Sequence, residues 1–86
     1  SASIAQAFFA LKSNLLRKRL YEELFKVRSE IFELQELLLD KALLSRLQPL
    51  LSSEQLLEAE KLILSIQEEI ETDRHLINVL LGRSPD

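Results

Sequence analysis

The 86-residue sequence has no cysteine, one glycine, two prolines and one histidine. Without cysteine there is no disulfide framework and no thiolate metal site. His75 sits between Arg74 and Leu76, with no second histidine or cysteine at ligand spacing, so no metal centre is expected and an exposed helical histidine is. No apolar run approaches the ~18 residues that a membrane span requires, and no charged region precedes an apolar core as in a signal peptide. The net charge is −3, which gives no global attraction to nucleic acid or to an anionic membrane. The sequence also lacks a glycine-rich phosphate loop, a Ser/His/Asp set and an internal repeat. No constellation is present to carry catalysis, so no enzyme activity and no cofactor are expected.

The scarcity of glycine and proline points to what is there. Pro49 is the only proline in the interior of the chain, and the single glycine, Gly82, lies near its end. Two long segments therefore run without a helix breaker. Proline has no N–H to donate, and its ring clashes with the carbonyl four residues back, so it suits the first turn of a helix and not its middle. The spacing predicts one helix over about 3–44, a tip over about 40–49 and a second helix over about 49–81. Two long helices joined by a short turn fold back on each other. The expected fold is all-α, an antiparallel two-helix coiled-coil hairpin. Charged residues make up 29% of the chain, which fits long helices and not a sheet. At this length one small domain is the most that can form.

Ser1 or Ser3 can cap the first helix. Ile4, Phe8, Leu11 and Leu15 then recur at steps of 4 and 3, followed by Leu20, Leu24, Val27, Ile31, Leu34 and Leu38 at the same alternation. These lines are expected to form the seam. Phe9, Leu16, Tyr21, Phe25 and Phe32 widen the stripe, so the helix needs more than one neighbour. Arg17-Lys18-Arg19 is a basic cluster that could meet phosphate or lipid. Acids lie one turn on, and pairs of Lys18 with Glu22, Arg19 with Glu23 and Lys26 with Glu22 make a solvated face the simpler account.

In the second helix Leu56, Ala59, Ile63, Ile66, Ile70, Asp73, Ile77 and Leu80 form one line, interrupted by Asp73. A polar residue there either sits in a wet seam or faces an aqueous lumen, and it can specify register. The many glutamates of this helix read as a solvated face, since a two-helix chain offers no pocket to shift carboxyl pKa values. Gly82 is expected at a left-handed position that ends the helix, with Pro85 barring continuation.

The segment Ser3-Ile4-Ala5-Gln6-Ala7-Phe8-Phe9-Ala10-Leu11-Lys12 resembles the start of a long helix in TolC-like outer membrane efflux proteins. Ile77-Asn78-Val79-Leu80-Leu81-Gly82-Arg83-Ser84-Pro85 is similar to the motif that closes the first half of those proteins. Between them the family carries a tip of the form Tyr-Asp-x-Gly-x-x-Ser-x-x-Asp-Leu. Laid from both ends without a gap, it falls on residues 39–49 and matches at Asp40 and Ser45, with Leu47 at a position the motif leaves open and Pro49 where it has leucine. Ala42 stands where the family has glycine, and Gln48 where it has a second aspartate. Alanine enters the left-handed region only at a cost, so a differently shaped turn is expected. Gln48 keeps a possible capping box with Ser45.

The resemblance implies a periplasmic segment of an outer-membrane protein of a Gram-negative bacterium, one hairpin of a helical tunnel built by three chains. Its partner would be the hairpin of a periplasmic adaptor protein, met by tip residues Asp40, Ala42, Leu43, Leu44, Ser45, Leu47 and Gln48. The chain would then be a segment of a longer protein, with no direct membrane insertion and no nucleic-acid partner. Two other readings remain. One is the adaptor's own hairpin, in which Leu38 and Ser45 fit the expected spacing but Leu34 occupies the place of an arginine. The other is a coiled-coil assembly module with no transport role. All of them leave a broad apolar face on each helix, so self-association of the isolated hairpin is expected.

Overall fold

The computed structural model describes residues 2–82. Two helices, α1 (Ala2–Asp40) and α2 (Leu47–Gly82), are joined by residues 41–46 and pack antiparallel along their length. Among the described residues there is no strand, and the fold is the all-α helical hairpin that the sequence predicts. Its cross-section is 14 by 13 Å and its radius of gyration is 19.4 Å. A compact domain of this length would have a radius of gyration of ~12 Å. The molecule is a rod, and α1 alone, at ~1.5 Å per residue, is ~58 Å long.

A two-helix rod has little interior. Ala59 is completely buried and Ile66, Ile70 and Ile77 nearly so, with Ala7 their counterpart on α1. On α2 the seam runs Pro49, Ser52, Leu56, Ala59, Ile63, Ile66, Ile70, Asp73, Ile77, Leu80 at alternating steps of 3 and 4, with Ser53 and Val79 half-buried beside it. This contains the line that the sequence predicts, extended by one heptad toward the turn.

The seam of α1 keeps Ile4 and Leu11 of the predicted lines and otherwise departs from them. It follows Ile4, Ala7, Leu11, Asn14, Lys18, Tyr21, Phe25, Arg28, Phe32, Gln35 and Leu39, all buried or half-buried. Leu20 (68% exposed), Val27 (48%), Ile31 (44%) and Leu34 (55%) face away from α2, as does Phe8. The reason is polar matching. Asn14 Nδ2 donates to Asp73 Oδ2 at 2.7 Å, Ser52 Oγ donates to Gln35 Oε1, and the Arg28 guanidinium donates to the Gln55 carbonyl at 3.0 Å. Had the leucine line faced α2, Asp73 and Ser52 would have met hydrocarbon, at ~1–3 kcal/mol for each unpaired group.

The same bonds set the register. From Asn14 to Gln35 is three heptads forward on α1, and from Asp73 to Ser52 is three heptads back on α2. There is no slip between them. This register brings Tyr21 level with Ile66 and Arg28 level with Ala59, so the long arginine stem lies over the smallest side chain of the α2 seam. Among the described residues no buried side-chain polar atom lacks a partner.

The helix ends also differ from expectation. α1 stops at Asp40, short of the mid-40s, and α2 begins at Leu47, before Pro49. Pro49 occupies the first turn of α2, where its missing N–H removes no intrahelical bond, and it is buried against the end of the seam. Gly82 is the last residue of α2 and does not adopt a positive φ. Ser1 and Pro85, expected to cap and to terminate, lie outside the described residues. The i,i+4 pairs expected around Arg17-Lys18-Arg19 do not form. Among the described residues the ion pair within 4.0 Å is Arg17 with Glu69, at 3.9 Å across the hairpin, while Lys18 lies half-buried in the seam.

Replacing Asn14 by alanine should lower stability by about 1 kcal/mol, because Asp73 then keeps its half-buried place without its donor. Replacing Asn14 and Asp73 together by leucine should recover that loss or exceed it. Urea midpoints of the two variants test this, and equal midpoints for the single variant and the parent would show that the pair contributes nothing.

Candidate docking site

The end of the rod is built by one residue in an uncommon conformation. Ala42 has φ 58°, in the left-handed region, and is the only non-glycine residue with positive φ among those described. Around it, Leu43 N–H donates to the Leu38 carbonyl at 2.9 Å and Ala42 N–H donates to the Leu39 carbonyl at 2.9 Å. This crossed pair is a Schellman cap. It satisfies two carbonyls that the end of α1 would leave without donors. Ala42 was expected to avoid this conformation. It adopts it because the cap returns two hydrogen bonds against a cost of ~1–2 kcal/mol for an alanine at positive φ. The turn therefore carries a left-handed residue at position 42.

The chain then runs through Leu44, Ser45 and Arg46 into α2. The Arg46 carbonyl accepts from Leu50 N–H at 3.4 Å, the first bond of the new helix. The expected capping box does not form, since neither Ser45 nor Gln48 makes a side-chain hydrogen bond among the described residues. Ser53 Oγ instead donates to the Leu50 carbonyl at 2.7 Å, one turn inside. Asp40, Ala42, Ser45 and Gln48 are exposed.

The leucines of the tip divide into two sets. Leu38, Leu39 and Leu44 are half-buried and, with Pro49, close the end of the seam. Leu37 (51%), Leu43 (69%), Leu47 (60%), Leu50 (58%) and Leu51 (48%) are turned to solvent. Leu47 belongs to the exposed set, so it is available to a partner and is not part of the core. An end surface of this kind, five leucines with Lys41, Arg46 and Asp40 at its margin, can bind by apolar contact with a few polar bonds. It holds no group placed for acid–base or nucleophilic chemistry.

Elsewhere on the rod, Ser65, Glu68, Glu69, Thr72 and Asp73 border a shallow, open groove on α2. Thr72 Oγ1 is already bonded to the Glu68 carbonyl at 3.1 Å, and Asp73 to Asn14. Among the described residues no cluster of His, Asp and Glu is arranged to hold a metal ion, and no helix is long and apolar enough to cross a membrane. His75 is exposed.

The second exposed surface, which sequence reading placed inside, is the outward leucine line of α1. Its signal was available. Asn14, Arg28 and Gln35 recur at heptad multiples on α1, and Asp73 and Ser52 do so on α2, so that antiparallel pairing lays polar on polar. No protein-family model, curated protein or solved structure matches this chain.

Ala42→Gly should stabilise the hairpin by about 0.5–1 kcal/mol, the relief at positive φ exceeding the added freedom of the unfolded chain. A higher urea midpoint with unchanged helix content is the expected result. A lower midpoint would mean that the turn does not hold this conformation in solution.

Proposed function

We propose that this chain is a periplasmic hairpin of an outer-membrane efflux or secretion channel, contributing to a helical tunnel and docking a periplasmic adaptor through its tip. The observation that carries the reading is the set of outward leucines at the end of the rod. A turn between two water-exposed helices is ordinarily polar. Here Leu43 and Leu47 are more exposed than most leucines along the shaft, and the backbone around them is fixed by the Schellman cap and by Pro49. The sequence resemblance at the two ends of the chain and at Asp40 and Ser45 names the kind of partner. The outward line on α1 supports a wall in which the helix has neighbours on two sides.

Such a tip has a small footprint. One hairpin should bind weakly, and affinity should come from several tips engaging together. The role is mechanical, with no catalysis and no cofactor. The exposed side of α1 also suits a coiled-coil assembly module without a transport role, and the same experiment separates the two.

In the full-length protein that carries this segment, Leu47→Asp and Ser45→Trp should each abolish efflux and cross-linking to the adaptor. Both residues are exposed, so helix content and channel assembly should be unchanged. Normal efflux from correctly assembled trimers would mean that the tip is only a turn, and would leave the assembly-module reading.

A further inference from the structure

The outward face of α1 is complementary to itself. Leu20, Leu24, Val27, Ile31, Leu34 and Leu38 follow one another at steps of 4, 3, 4, 3 and 4, a spacing that reads the same in both directions. Reversed and laid on a second copy, the line sets Leu20 against Leu38, Leu24 against Leu34, and Val27 against Ile31. No layer is left without an apolar counterpart. Four of the six side chains are 44–68% exposed in the single hairpin, and the line spans ~27 Å of helix at ~1.5 Å per residue. A contiguous apolar surface of that extent is characteristic of an interface.

The charges along its edge select the direction. The residues preceding Leu20, Val27 and Leu34, about 100° around the helix, are Arg19, Lys26 and Glu33, with Asp40 one heptad further. All four are exposed, and among the described residues none of them is in an ion pair. The series is basic in its first half and acidic in its second. Antiparallel pairing brings Arg19 level with Asp40 of the second copy and Lys26 level with Glu33, each twice, against one like-charge contact, Glu30 with its own copy. Parallel pairing would bring each charge beside its own kind. Edge charges are worth little individually, but their arrangement decides orientation.

We propose that a second copy of this chain packs antiparallel on this face of α1, about a two-fold axis level with Ser29. The two hairpins then form an isologous pair, with the two α1 helices in contact and each α2 on the flank of its own partner helix. Their tips point in opposite directions. The inference does not rest on the docking role of the tip, because it uses another surface. In a channel wall the same line would meet a neighbouring hairpin with its tip turned the same way, so the chain by itself and the chain in a wall would use this face differently.

The absence of native cysteine makes the test clean. In the 86-residue chain, Glu30→Cys lies one residue past the axis, so its two copies stand ~3 Å apart along the helix direction. It should form a disulfide with itself on mild oxidation. Leu37→Cys is displaced ~24 Å from its own copy and should not, yet it should link to Glu23→Cys when the two variants are mixed. Light scattering should give twice the 9.9 kDa chain mass for the parent. Leu20→Glu with Leu34→Glu should give a monomer with unchanged circular dichroism. Lys26→Glu should weaken the dimer several-fold, and adding Glu33→Lys should restore it. Leu47→Asp, at the tip, should leave dimerisation as it is. A monomer at high concentration, a dimer that survives the two glutamates, or self-linking of Leu37→Cys as readily as Glu30→Cys would overturn the proposal. So would failure of Glu30→Cys to self-link, which is the outcome expected if α1 meets α2 of the next copy.

Discussion

The match of polar groups across the seam is the constraint on which the rest of this hairpin depends. A two-helix rod buries few side chains completely, and hydrocarbon alone would allow several ways of facing the helices together. Asn14 with Asp73, and Ser52 with Gln35, remove that freedom, because each would be left without its partner in any other arrangement. Once they are joined, Arg28 falls over Ala59, the aromatics Tyr21, Phe25 and Phe32 fall against isoleucine and leucine of α2, and Pro49 meets the end of α1. The best apolar line on α1 is thereby turned outward. The hairpin gives up burial of Leu20, Val27, Ile31 and Leu34 in return for a single register.

That exchange explains what the sequence could and could not convey. The scarcity of helix breakers, with Pro49 near the middle, was enough to read two helices and an antiparallel return. The α2 seam was legible because only one apolar line runs through it, and Asp73 marks that line without hiding it. On α1 two lines at heptad spacing compete. Counting apolar residues favours the one with six leucine-type positions, but the seam is chosen by where polar groups find partners, and that is a property of both helices together. Periodicity on one helix carries no such information.

The tip was legible in position and not in shape. Pro49, between two segments free of helix breakers, located it over about 40–49, and the structure puts the helix break at residues 41–46. The propensity of alanine argued against a left-handed residue at 42. Propensity, however, weighs one residue, while the cap engages Leu38, Leu39 and Leu43 as well. Leu47 could not be assigned from sequence because it lies between half-buried Leu44 and buried Pro49, and only the start of α2 two residues before the proline turns it outward.

The spacing of the polar pairs also bears on how the rod behaves under load. A slide of three or four residues, ~4.5–6 Å at ~1.5 Å per residue, keeps the two seams facing but sets Asn14 against Ile70 or Ile77. A slide of a full heptad, ~10.5 Å at ~1.5 Å per residue, would set Asn14 against Ile66 or Leu80 and strand Asp73 among apolar side chains. Each of these shifts separates the bonded polar pairs, so displacement along the seam is resisted. The hairpin acts as a strut of fixed length: a push at one end arrives at the other without being absorbed by creep between the helices.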